Sequence, residues 1–232
     1  AAAAMGTFNL IAVPTTFGLG KILSGTIFAA GLVVVVLAGA ELFTGNSLIT
    51  AAVLEKKTTV SKMLRNWVIV YIANFIGSIL ITWMIWQIGL FSSGADMFGA
   101  ITVKVAVGKV NMTFLNCMLS GIMCNWLVSL AVWMATGADS TIGKIFAIFF
   151  PIWMFVTCGF EHCIANMYAI PAGIFAATNP AFVELSGVTA EALSNLTWAG
   201  MAINNLVPAT IGNIIGGGFF VATMYWLGLK KS

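Results

Sequence analysis

The chain of 232 residues is 60% hydrophobic and only 7% charged, with a formal net charge of +3. A soluble domain carries about 25% charged residues, so this composition excludes a soluble globular protein and indicates one that is surrounded by lipid. Five apolar stretches each exceed the ~20 residues that cross a hydrocarbon core, and they cover residues 22–54, 67–91, 110–137, 145–179 and 198–229. We therefore predict an all-α polytopic membrane protein.

Two of these stretches are too long for a single crossing. The first, residues 22–54, has Glu41 as its only charged residue. In the fourth, residues 145–179, Glu161 and His162 are the only acidic or basic residues. Either would form a helix of about 50 Å at 1.5 Å per residue, which exceeds the thickness of a bilayer. Glycine and polar residues cluster at both centres. The sequence therefore predicts that these helices are broken at the membrane midplane, over residues 39–45 and 158–165.

The two centres match each other in sequence. Both read G-x-E-x-x-x-small-N, and both are followed by a span with N-x-x-G: Gly39, Glu41, Asn46, Asn74 and Gly77 in one, Gly159, Glu161, Asn166, Asn213 and Gly216 in the other. This indicates one transmembrane domain, 1–232, of two inverted halves, 1–92 and 110–229, with three helices each. The counterpart of a helix over 111–136 would end near residues 1–12. We therefore expect the second and fifth helices to be the broken ones and the first to be largely missing from this chain.

The breaks predict where a pathway lies. Non-helical backbone inside a bilayer has to be buried in protein or line a water-filled cavity. A half-helix that begins at a break directs its free N–H groups towards it, and we predict that Glu41 and Glu161 accept from them, with Asn46 and Asn166 in support. His162 is the only histidine. Because a polar residue in a membrane usually marks a path or relay, we predict a functional role for it.

The basic residues are unequally distributed between the two sets of loops. One set contains Lys56, Lys57, Lys62, Arg65, Lys144, Lys230 and Lys231, and the other contains Lys21, Lys104 and Lys109. Basic residues in short loops favour the cytoplasmic side. We therefore predict a multi-pass protein of the plasma membrane with a cytoplasmic C-terminus.

Four segments carry a resemblance to a known family: ELFTGN, CNWLVSLAVW, GFEHCIANM and NNLVPATIGNIIGGG. At these residues the chain resembles the formate/nitrite transporter family, and among its branches it looks closest to the bacterial hydrosulfide channel. The resemblance implies an aquaporin-like fold and a homopentamer in the lipid bilayer with one pore per subunit. It also implies small monovalent anions, such as formate, nitrite or hydrosulfide, as the molecules that cross.

The resemblance also implies residue roles. His162 matches a central pore histidine, Thr44 the threonine that faces it, and Lys109 a lysine that biases the path towards anions. The other matching positions are polar residues of the pathway or its support, Asn125 and Asn166, and two apolar constrictions, Phe28, Leu32, Leu42 and Phe155. An anion of a weak acid avoids the barrier of such constrictions by taking up a proton, which suits the chemistry of histidine.

Other functions stay open at this point. A neutral-solute channel of the aquaporin kind is one, although the chain has a single Asn179-Pro180-Ala181 tripeptide, which we interpret as a turn in a loop. A proton-coupled secondary carrier of the same anions is another. We do not expect an enzyme, because one histidine without a serine and aspartate pair supports neither metal chemistry nor proteolysis. The four cysteines form no CxxC pair, and we predict no metal, no cofactor and no nucleic-acid partner.

Overall fold

The computed structural model describes residues 17–230. Both the segment 1–12, where a first helix was expected to end, and Lys231 lie outside the described residues. The helices are α1 (Phe17–Ala38), α2 (Ile49–Leu54), α3 (Val60–Gln87), α4 (Met97–Val110), α5 (Phe114–Thr136), α6 (Thr141–Cys158), α7 (Cys163–Ala176), α8 (Pro180–Ser186), α9 (Ala190–Ser194) and α10 (Trp198–Lys230). A 3₁₀ turn, Gly45–Leu48, leads into α2, and α10 contains two π-helical stretches, Met201–Leu206 and Ile215–Thr223.

Within residues 17–230, five helices are long and apolar enough to cross a membrane: α1 from Gly18 onwards, α3, α5, α6 and α10. Two shorter apolar segments, Gly45–Leu54 and α7, continue the chain beyond the ends of α1 and α6. No strand is found in this range. The prediction of an all-α polytopic membrane protein is confirmed.

Both overlong stretches are interrupted within the predicted ranges. The helix α1 ends at Ala38 and non-helical backbone follows to residue 44, while α6 ends at Cys158 and α7 begins at Cys163. Gly39 has φ +71° and Gly159 has φ +78°. These left-handed conformations end each helix at a residue without a Cβ, which is the usual way to terminate an α-helix.

We did not predict the helix α4 from the sequence, and we interpreted the start of α8 as a turn in a loop. The helix α4 is short and largely buried, packs on α7 and α8, and carries Lys109 in its last turn. Asn179-Pro180-Ala181 is not a simple turn: the Asn179 side chain accepts from the backbone N–H of Ala181 at 3.0 Å and begins α8, with Pro180 in the first turn. Proline is favoured there because its missing N–H would have no helical partner.

Backbone-to-backbone contact joins α5 to α10. A Cβ at Gly216 would lie 2.3 Å from the carbonyl oxygen of Ile122, and a Cβ at Gly212 would lie 2.2 Å from that of Met118. Small residues allow membrane helices to approach this closely. This contact places the middle of α10 beside α5. It also places Asn213, which lies between the two glycines, within hydrogen-bond distance of the backbone of the second break.

The Gly216→Ala variant is expected to unfold at lower temperature in detergent, because its methyl group forces α5 and α10 apart at a cost of about 1–3 kcal/mol. The control is Gly228→Ala near the end of the same helix, where nothing lies within 4 Å of an added Cβ. Thermal unfolding followed by circular dichroism measures both. Equal midpoints for the two variants would contradict the close approach at Gly216.

Candidate functional site

His162 joins the two breaks. It is 5% exposed, and its Nδ1 accepts from the backbone N–H of Ala165 at 3.0 Å, which caps the start of α7. Its Nε2 lies 2.9 Å from Oγ1 of Thr44, in the other break. A neutral imidazole that accepts at Nδ1 carries its proton at Nε2. The histidine therefore donates to Thr44, and both ring nitrogens are engaged.

Two cavities meet at His162. One has a volume of about 350 Å³ and is lined by Lys109 and Glu161, and the other, of about 200 Å³, is lined by Leu32 and Leu42. The lining of both includes Phe28, Phe155 and His162. The two linings thus differ in charge: the first includes charged side chains, while the polar members of the second are the uncharged Ser78, Tyr168 and His162.

Aromatic contacts separate the cavities. Phe28 and Phe155 meet edge to face with ring centroids 5.5 Å apart, and Phe155 stacks on the His162 ring at 5.8 Å. Such aromatic pairs have a preferred geometry and hold their rings in place. The structure thus brings together Phe28, Phe155, Leu32 and Leu42 around the histidine, with Phe28 and Phe155 at the boundary.

A buried polar network surrounds Glu161. Its Oε1 accepts from Nζ of Lys109 at 2.7 Å, and its Oε2 accepts from the side-chain amides of Asn166 at 2.6 Å and Asn205 at 3.0 Å. Asn166 also donates to Oδ1 of Asn205 at 2.6 Å. Glu161 is 3% exposed, so its charge depends on these three donors rather than on water.

A similar network without a lysine lies at the first break. The side-chain amide of Asn46 donates to the Glu41 carboxylate and, at 2.8 Å, to Oδ1 of Asn66. Asn66 lies 3.5 Å from Oε2 of Glu41. Glu41 is exposed in the single chain, whereas Glu161 is buried.

The expected capping role of Glu41 and Glu161 is wrong. The carboxylate bonds described above go to side-chain amides and to Lys109, and His162 accepts from the start of α7 in place of its neighbour. The physical reason is that adjacent residues point in different directions, so only one of Glu161 and His162 can face the first turn of α7. Asn46 and Asn166 do bind the glutamates.

Two further asparagines hold the non-helical backbone. Asn74 accepts from the N–H of Phe43 at 3.1 Å and donates to the carbonyl of Glu41 at 3.2 Å. Asn213 accepts from the N–H of Cys163 at 2.9 Å and donates to the carbonyl of Glu161 at 3.0 Å. These bonds pair backbone groups that the breaks leave without helical partners, as burial requires.

Sequence reasoning missed Asn66 and Asn205. A signal for both is present: each precedes the asparagine of its N-x-x-G motif by the same spacing, Asn66 before Asn74 and Asn205 before Asn213. In each half, this additional asparagine lies about two helical turns before the asparagine that begins N-x-x-G. The repeated pattern is therefore longer than the one that the sequence analysis used.

Asn125 does not lie where the pathway was expected. It is fully buried, and neither cavity at His162 includes it in the lining. Its side-chain amide lies 3.1 Å from the carbonyl oxygen of Thr44 and 2.7 Å from that of Asn213. Asn125 thus ties the first break to α10. Thr44 contacts His162, but it is fully buried and, like Asn125, it is not part of the lining of either cavity.

No group of three or more metal-ligating side chains is found among the described residues. Cys117, Cys124 and Cys163 are buried, and Cys158 is exposed.

Comparisons with known proteins agree on one family. The model of the family described as formate/nitrite transporter matches residues 1–227. A probable formate transporter of Methanothermobacter thermautotrophicus is 38% identical over 90% of this chain and 75% of its own length. The formate channel FocA of Escherichia coli strain K12 is also 38% identical, over 91% of this chain and 75% of its own.

A solved structure agrees with these relatives. A pentameric formate channel with formate bound superposes with a TM-score of 0.85 at 34% sequence identity, covering 99% of this chain and 91% of the solved one. The arrangement of helices around the two cavities is thus shared with a protein whose structure contains a bound anion.

Proposed function

The chain belongs to the formate/nitrite transporter family, and on that premise we propose that it passes formate or a related small anion through the two cavities that meet at His162. It is a membrane channel or transporter for small monovalent anions. The relatives compared above are named formate channels or transporters, so formate is the first anion to test. Hydrosulfide, suggested by the sequence, and nitrite are the alternatives within the same proposal.

The observation that carries this proposal is the position of His162 between a cavity lined by charged side chains and one lined by uncharged side chains. An anion in the first cavity has left most of its water by the time it reaches Phe28 and Phe155, and desolvation of a charge is costly. His162 presents the Nε2–H donor closest to that boundary. The anion has to compete with Thr44 for this donor, which replaces part of the hydration that the anion loses before it passes the Leu32 and Leu42 side.

The predicted flux separates this proposal from its rivals. Proteoliposomes with the full-length protein are expected to take up formate, and more slowly nitrite or hydrosulfide, at rates well above those of empty vesicles. Urea and water are the neutral controls, because an aquaporin-like pore would pass these neutral molecules rather than the anions. Stopped-flow light scattering and isotope uptake measure both classes.

Two outcomes would count against it. Fast urea or water flux with no anion uptake would replace the anion pathway with a neutral-solute channel. Uptake of formate that stops when the proton gradient is collapsed would replace the channel with the proton-coupled carrier.

We also propose that the two halves, residues 1–92 and 110–229, form an inverted repeat within one transmembrane domain. In support, Glu41 and Asn46 precede Glu161 and Asn166 by one offset, and Asn66 and Asn74 precede Asn205 and Asn213 by another. Each set makes the same kinds of hydrogen bond at its own break. In this arrangement α1 and α6, which end at the two breaks, are counterparts of each other.

The assembly and orientation follow from the same premise. The pentameric formate channel supports a homopentamer with one pathway in each subunit. The greater number of lysine and arginine residues in the loops on the C-terminal side supports a cytoplasmic C-terminus in a plasma membrane.

A further inference from the structure

A second lysine, Lys21, lines the cavity that contains Lys109 and Glu161. It is half-buried near the start of α1, within a segment apolar enough to cross a membrane. The lining thus has two ammonium groups and one carboxylate, which leaves one positive charge in excess. A charged residue inside a membrane segment usually serves a pathway.

Close packing of α1 on α6 fixes the position of Lys21. The indole N–H of Trp153 donates to the carbonyl of Ile22 at 3.0 Å, and a Cβ at Gly25 would lie 2.8 Å from Oγ1 of Thr157. The ammonium group of Lys21 lies over the break, since a Cβ at Gly159 would be 2.5 Å from its Nζ. The charge is therefore held where α6 ends and the route to His162 begins.

Lys109 is less suited to attract an anion. It binds Glu161 at 2.7 Å, and an anion that approaches it meets the negative charge of that carboxylate. Lys21 and Lys109 line the same cavity, so their ammonium groups repel each other. Two ammonium groups that repel each other across one cavity are stabilised by an anion between them.

We propose that Lys21 is the cation that recruits the permeating anion into the first cavity, and that it determines the preference for anions there, while Lys109 holds Glu161. This inference rests on the proposed function. It moves to Lys21 the role that the family resemblance gave to Lys109. The ligand is a small monovalent anion, and the cavity of about 350 Å³ has room for it together with several waters.

The test compares Lys21→Met with Lys21→Arg in proteoliposomes of the full-length protein, with formate as the probe. The methionine variant is expected to raise the half-saturating formate concentration about three- to tenfold, the effect of one charge acting across partly hydrated space. It should also lose the inhibition of wild-type flux by impermeant salt, which screens the lysine. Lys21→Arg keeps the charge and should resemble the wild type in both respects.

The matched control is Lys104→Met, which removes an exposed lysine of α4 that does not line this cavity. Lys21→Gln repeats the test if the methionine variant does not assemble. An unchanged half-saturating concentration and salt dependence in both neutral variants would overturn the inference, as would an equal shift in Lys104→Met. Absence of formate flux in the wild type would instead overturn the proposed function.

Discussion

The His162→Phe variant is expected to assemble but to lose at least about tenfold of its formate flux. Phenylalanine fits the apolar boundary next to Phe155, but it has no donor for the anion. The hydrogen bond that the anion loses is worth about 1–3 kcal/mol, and each 1.4 kcal/mol in a barrier is about tenfold in rate. The substitution also leaves the Ala165 N–H and the Thr44 hydroxyl without the partners that His162 provides. Stopped-flow uptake of formate measures the loss.

The His162→Asn variant separates the two roles of the histidine. Asparagine is among the best N-cap residues, so it is expected to keep the bond to the N–H of Ala165 and the stability of α7 to within about 1 kcal/mol. Its shorter side chain withdraws from Thr44, and flux should fall while thermal unfolding changes little. Wild-type flux in both His162 variants would remove this residue from the mechanism.

The breaks and the histidine could be predicted from the sequence because their signals are local. Glu41, Glu161 and His162 are polar groups inside runs that must cross lipid, and Gly39 and Gly159 mark the helix ends beside them. Length alone does not require a break, since α10 is one helix of 33 residues. In the other two long runs, the glycine and polar residues at the centre mark the position where a break can have its polar groups paired. This reasoning depends only on neighbours in the chain.

The partners of these residues could not be predicted in the same way. Whether Glu161 or His162 faces the first turn of α7 depends on the backbone of a non-helical segment, which has no fixed period. Asn205 reaches Glu161 from a helix that is distant in the chain, and Lys109 does so from α4, a helix too short to give a membrane-span signal. Their contacts come from tertiary packing, which the local pattern does not determine.

The Glu161→Gln variant is expected to be the most destabilised of the substitutions considered. One carboxylate oxygen becomes an NH₂ group that faces Lys109 or the side-chain amides of Asn166 and Asn205, so a donor meets a donor. The ammonium of Lys109, whose side chain is 20% exposed, also loses its counter-charge. Removal of one member of a buried ion pair costs about 3–5 kcal/mol. Thermal unfolding in detergent measures the loss.

The chain contains its own control in Glu41→Gln. Glu41 has the same asparagine partners in kind, but it is exposed and has no bond to a lysine among the hydrogen bonds described for it, so the cost should stay below about 1 kcal/mol. Adding Lys109→Met to Glu161→Gln removes the unpaired ammonium, and it should restore part of the lost stability because the two side chains are directly coupled. Equal destabilisation by Glu161→Gln and Glu41→Gln, or simple additivity in the double variant, would show that the ion pair does not stabilise the second break.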